Sequence, residues 1–125
     1  MTSLRAMVLS AGLGTRLRPL TEQVPKPLVP VVNRPLIEYT LRLLTSAGVR
    51  EVAINLHHLG NLISTTLGDG SDWGMKITYS PEDPILGTGG GLVRMRKFLD
   101  GQTFFLCNSD ILIGVDLKKV LEFHR

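Results

Sequence analysis

Cysteine is almost missing from these 125 residues: Cys107 stands alone. It cannot form an internal disulfide, so no disulfide framework holds the chain and a reducing, cytoplasmic setting is expected. Aromatic residues reach only 6%. No dense basic stripe is interleaved with them, which argues against a nucleic-acid surface. No apolar run approaches the ~20 residues of a membrane-spanning helix. The N-terminus shows neither the apolar segment nor the cleavage site of a secretory signal, so no membrane partner is expected. No internal repeat, low-complexity tract or linker divides the chain, and residues 1–125 are read as one unit. Hydrophobic content of 43%, charged content of 20% and a formal net charge of +3 suit a globular domain with a real core.

What the sequence does have is concentrated near its start. The apolar run Ala6-Met7-Val8-Leu9 enters Ser10-Ala11-Gly12-Leu13-Gly14-Thr15-Arg16-Leu17-Arg18, and Pro25-Lys26-Pro27 follows closely. A glycine-rich turn after a strand lets backbone N–H groups approach phosphate oxygens, because no Cβ holds the ligand away. Arg16, Arg18 and Lys26 supply fixed positive charge beside it. The turn is not the dinucleotide fingerprint, since Leu17 stands where the third glycine belongs. Nor is it a Walker A loop, for no Gly-Lys-Ser/Thr closes it. A glycine turn needed for geometry alone is the competing reading.

Hydrophobic periodicity gives alternating strands and helices. Residues 6–10 form a buried strand. Residues 15–34, with four prolines, form an ordered extended loop. Residues 36–47 form a helix with Ile37, Leu41 and Leu44 on one face, a Glu38–Arg42 pair on the wet side and Gly48 as its left-handed stop. Residues 51–56 alternate as a strand. Leu59, Leu62, Ile63, Thr66 and Leu67 follow helical spacing, and Met75, Ile77 and Tyr79 mark a third strand. A helix over 88–99 opens on the glycine-rich Gly87-Thr88-Gly89-Gly90-Gly91. Residues 103–107 form an apolar strand ending at Asn108-Ser109-Asp110. A last helix from Leu117, capped by Asp116, is expected to turn Val120, Leu121 and Phe123 inward. This alternation predicts an α/β fold with a doubly wound, mainly parallel sheet.

In such sheets ligands bind beyond the carboxyl ends of the strands. The first glycine turn, the segment from Glu82 to Gly91 and Asn108-Ser109-Asp110 each follow a strand, so all three are expected on one rim. Asp110 suits Mg²⁺, which takes a hard carboxylate together with phosphate oxygens and water. A turn or helix cap is the other use of an aspartate there. Glu82 can accept from the N3–H of uracil or thymine, or from the N1–H and N2–H₂ of guanine; a solvated loop acid is its alternative. His57 and His58 are adjacent, point apart and have no cysteine beside them, so a loop or helix-entry role is expected.

The glycine turn with Thr15-Arg16 and Pro-Lys-Pro closely resembles the signature of the sugar-1-phosphate nucleotidylyltransferases, and the resemblance runs over the whole chain. It implies a Rossmann-like nucleotide-diphospho-sugar transferase fold and transfer of a nucleoside monophosphate from a nucleoside triphosphate to a sugar-1-phosphate, with loss of pyrophosphate. By the same resemblance Arg16 and Lys26 are catalytic. Ala11, Gly12, Gly14, Thr15, Glu82, Gly87 and Thr88 bind nucleotide, and Asp110 holds Mg²⁺. Ser109 departs from the family's usual glycine. Ser80-Pro81-Glu82 and Gly87-Thr88-Gly89-Gly90-Gly91 look most like the N-acetylmuramate-1-phosphate uridylyltransferase branch, with mannose-1-phosphate guanylyltransferases close beside it, so UTP or GTP is favoured. Family domains continue well past residue 125, so the chain is expected to be the N-terminal, nucleotide-binding portion of one, shortened and open to homo-oligomerisation. A non-catalytic nucleotide-binding or regulatory module is the alternative function.

Overall fold

The computed structural model describes residues 4–13, 16, 18–110, 112 and 114–125. Its centre is a four-stranded parallel sheet. In chain order the strands are β1 (Leu4–Leu9), β4 (Val49–Leu56), β5 (Lys76–Pro81) and β6 (Phe104–Asn108), and in space they run β5-β4-β1-β6. A small antiparallel hairpin, β2 (Pro30–Val31) with β3 (Arg34–Pro35), lies between β1 and the first helix. The helices are α1 (Leu36–Ser46), α2 (Gly60–Leu67), α3 (Gly87–Arg94), α4 (Arg96–Leu99) and α5 (Leu117–His124).

Side chains of β1 alternate between two cores, as the period of a strand demands. Ala6 and Val8 join the larger cluster with Ile37, Leu41 and Leu44 of α1, Ile63 and Leu67 of α2, and Leu117 of α5. Met7 faces the other way and packs with Ala53 and Leu99, beside Leu92, Met95 and Phe98. Helices therefore cover both faces of the sheet, which is the doubly wound arrangement expected from the sequence. Burial pushes the thiol of Cys107 above its ordinary pKa. Among the described residues no helix is long and apolar enough to cross a membrane.

Helix α1 buries Leu36, Ile37, Thr40, Leu41 and Leu44, and Gly48 follows it at φ +94°. On its wet side the Arg42 guanidinium sits 2.9 Å from Glu38. Three expectations need correction. Residues 15–34 are not simply extended: 3₁₀ turns occupy Leu20–Glu22 and Lys26–Leu28, and the β2–β3 hairpin turns through Val32 and Asn33 at φ 52° and 64°. The helix over 88–99 is two helices. At Met95 ψ is 18°, and its N–H is shared between the Gly91 and Leu92 carbonyls, so the α-helical path ends there. The bend lays Leu92, Met95 and Phe98 together on the smaller core. In α5 only Leu117 is buried; Val120 is 45% and Phe123 94% exposed. The helix meets the core through its first turn, Leu121 is half-buried, and among the described residues nothing covers Phe123.

Leu41 is fully buried at the centre of the larger cluster. Leu41→Ala is expected to lower unfolding stability by ~2–5 kcal/mol, the range for deleting a packed leucine. The midpoint of urea denaturation, at unchanged m-value, checks this.

Candidate functional site: a cleft at the carboxyl rim

Parallel pairing sets the rim. Leu9 pairs with Asn55 on one side and Asn108 on the other, while Leu56 pairs with Pro81. The strands therefore end together. The chain leaves β1 toward β4 and β5, then returns to place β6 on the opposite flank of β1. That reversal splays the connecting segments apart and opens a crevice at the strand ends. A cleft of about 410 Å³ lies there, lined by parts of all three segments expected at the rim.

Pro25 and Pro27 are both buried, and Lys26 between them opens a 3₁₀ turn closed by bonds from Leu28 N–H to the Pro25 carbonyl (2.9 Å) and Val29 N–H to the Lys26 carbonyl (3.1 Å). Two anchored rings thus fix the backbone from which Lys26 reaches into the cleft. Its Nζ sits 2.7 Å from Asp110 Oδ2, with each side chain about one-third exposed. An ion pair this open to water is worth only ~0.2–1 kcal/mol. It holds the two groups near each other without locking them together. Asp110 itself is placed by Ser109, whose N–H and hydroxyl both donate to the Leu9 carbonyl, at 3.2 and 2.8 Å. Ser109 is thus a clamp between β6 and β1.

On the other side of the crevice, Ala11 is buried and Gly12 exposed, and both line the cleft. A Cβ built on Gly12 would meet nothing within 4 Å. Among the described residues, packing does not demand glycine here, and Gly12 lines the cleft. Arg16 is exposed and lines the same cleft. Gly14 and Thr15, expected on the nucleotide, lie outside the described residues. Ser10, which the sequence offered only as the end of a strand, also lines the cleft, and its buried hydroxyl has no hydrogen-bond partner among the described residues.

Gly87 and Thr88 line the cleft from the start of α3, both exposed. Glu82 reaches the same wall but is only 2% exposed. Its Oε1 accepts from Leu86 N–H and its Oε2 from the Asn55 amide, each at 3.1 Å. The carboxylate expected to face a base is thus turned into the protein and supplied with donors there. Asn55 was not singled out in the sequence; a polar residue inside the apolar strand Val52-Ala53-Ile54-Asn55-Leu56 was its one signal. The adjacent histidines stand at the entry to α2: His57 Nδ1 lies 2.6 Å from the Glu82 carbonyl oxygen, and His58 Nε2 contacts the Thr21 carbonyl. Among the described residues no group of three or more His, Cys, Asp and Glu side chains could hold a metal.

This cleft and sheet have recognisable counterparts. Residues 5–125 match the nucleotidyl transferase family. Over 114 residues the chain is 46% identical to the N-acetylmuramate alpha-1-phosphate uridylyltransferase of Neisseria meningitidis serogroup B, covering 90% of this chain and 49% of that protein. It is 39% identical over 120 residues to the mannose-1-phosphate guanylyltransferase of Mycobacterium tuberculosis, covering 96% of this chain and 33% of that one. In three dimensions it resembles HddC from Yersinia pseudotuberculosis, solved in complex with GMP-PN, with a TM-score of 0.84 at 27% identity over 96% of this chain and 53% of the other. The chain spans a third to a half of the length of these two curated relatives. The family match takes in all of the sheet but Leu4 and every described wall of the cleft, and on it the chain belongs to the nucleotidyl transferase family.

Proposed function

We propose that the chain supplies the nucleoside-triphosphate-binding portion of a sugar-1-phosphate nucleotidylyltransferase of nucleotide-sugar biosynthesis. The observation that carries this reading is the crevice between β1 and β6, where the Gly12 backbone and the two cations Arg16 and Lys26 line one cleft. In the reaction, a phosphate oxygen of the sugar-1-phosphate attacks the α-phosphorus. A new P–O bond forms, the bond from the α-phosphorus to the bridging oxygen breaks, and pyrophosphate leaves with the electron pair. No protein nucleophile is needed, and catalysis is positioning and charge stabilisation. Arg16 then stabilises the leaving pyrophosphate, and Lys26 the phosphates at the reacting centre. Main-chain groups at Ala11, Gly12, Gly14 and Thr15 carry the phosphates.

The donor set suits Mg²⁺. Asp110 is a single, partly exposed carboxylate lining the cleft, and Mg²⁺ binds through one or two carboxylates while keeping waters and substrate phosphates. Asp110 would hold the ion, which when bound neutralises phosphate charge. Lys26 would give up its contact with Asp110 for a phosphate oxygen, an exchange the weak pair permits. At the base end, the exposed Gly87 and Thr88 form the reading wall, with Glu82 behind them. The likeness to a uridylyltransferase and a guanylyltransferase favours UTP or GTP over other nucleotides. A cytoplasmic location fits a lone cysteine and such substrates.

Gly12→Ala is expected to leave unfolding stability unchanged within about 0.5 kcal/mol, as at a site free of packing constraints, while weakening UTP and GTP binding. Denaturation and calorimetry on the same samples check both halves. Unchanged nucleotide affinity would remove the phosphate turn from the site. In an active enzyme carrying this chain, Arg16→Ala and Lys26→Ala should each lower kcat by roughly 10²–10³-fold, as for loss of one donor to a developing charge. Pyrophosphate release with sugar-1-phosphate and Mg²⁺ measures it. Near-normal turnover in both variants would favour the regulatory-module reading.

A further inference from the structure

Asn55 is 3% exposed on the face of the sheet covered by α3, and a buried primary amide has to satisfy both of its ends. Its Oδ1 accepts from the Ser10 backbone N–H at 2.6 Å, and its Nδ2 donates to Glu82 Oε2 at 3.1 Å. Glu82 Oε1 accepts from Leu86 N–H at 3.1 Å. The amide has one workable orientation, since an N–H can only donate and a carboxylate can only accept. Ser10 is where β1 gives way to the first glycine-rich turn. Leu86 is the residue before α3 and the second glycine-rich run. Two buried side chains therefore join the loops at the two ends of the cleft.

Two more contacts keep this pair in place. Glu82 N–H donates to the Leu56 carbonyl at 2.7 Å, and His57 Nδ1 lies 2.6 Å from the Glu82 carbonyl. Helix α3 presses on the pair from above: a Cβ on Gly91 would lie 3.0 Å from Glu82 Oε2 and 3.1 Å from Asn55 Nδ2. A side chain there would press on both groups and force one of them to give by a few tenths of an ångström.

We propose that Asn55 and Glu82 are positioning residues that couple the phosphate turn to the base-side loop, so that the two ends of a nucleotide are received in one fixed geometry. The coupling rests on the reading of the cleft as a nucleoside triphosphate site. It differs from direct base recognition by Glu82, which would affect only ligands that carry a base. It also differs from a purely structural role, which would change stability and leave binding by the folded chain alone.

Swapping the donor and acceptor tests the coupling. Glu82→Gln sets an amide NH₂ against the Asn55 NH₂, or loses the Leu86 bond; Asn55→Asp sets two carboxylates face to face. In the double variant the new carboxylate at position 55 would accept from both the Ser10 N–H and the new amide at position 82. The carbonyl of that amide would still accept from Leu86 N–H, so every bond returns. Calorimetry with inorganic tripolyphosphate, UTP and GTP, each with Mg²⁺, is run on the four folded proteins. Each single variant is expected to bind all three ligands about ten-fold more weakly, and the double variant to recover most of that loss, a non-additivity typical of directly coupled residues. Amide hydrogen exchange at Ser10 should rise in Glu82→Gln, although residue 82 does not touch Ser10, and fall again in the double variant. An unmoved Ser10 amide in folded Glu82→Gln, unchanged tripolyphosphate affinity in the single variants, or a double variant as weak as the singles would each overturn the coupling. If Ser10 exchange follows the swap and the wild-type chain binds none of the three ligands, the coupling stands and the reading of the cleft fails.

Discussion

Strand β1 is paired on both sides, and both pairings run parallel. Parallel neighbours cannot be joined by a tight turn; each connection has to cross a face of the sheet and return to the starting end. All four strands therefore finish at one rim. Because β4 and β6 flank β1, the connections on its two sides diverge at that rim. The cleft exists because of this divergence. Ser109 fastens the end of β6 to Leu9, and Asn55 fastens the end of β4 to Ser10, so both sides of the crevice are referred to the same strand.

The cleft's charged groups are arranged for exchange more than for stability. Lys26 and Asp110 touch, yet each is about one-third exposed, and such pairs contribute little. The firm interactions lie one layer below, in the prolines that flank Lys26, the serine that precedes Asp110 and the Asn55–Glu82 pair. Rigid elements thus carry movable charges. This division suits phosphoryl-type transfer, where the protein positions groups and neutralises charge and makes no covalent bond itself.

Much of this was legible in the residues. The alternation of strand and helix gave the doubly wound sheet, and the placement of Gly12, Glu82 and Asp110 after strands gave the shared rim. What stayed hidden depended on partners distant in sequence. Glu82 reads as a free carboxylate until Asn55 and the Leu86 N–H are seen to occupy it. Asn55 is only a polar residue in an apolar strand until α3 is laid over it. The break at Met95 has no proline to announce it. In α5 the apolar spacing tells which residues share a side, but only the neighbouring elements decide that Leu117 is covered and Phe123 is not.

A crystal structure of the chain soaked with Mg²⁺ and a non-hydrolysable UTP or GTP analogue puts the central claim to its most direct trial. The triphosphate is predicted to lie in the crevice between β1 and β6, against the Gly12 backbone, with Lys26 Nζ moved from Asp110 onto a phosphate oxygen. Phosphate density at the opposite rim, or an undisturbed Lys26–Asp110 pair with the triphosphate bound elsewhere, would contradict it.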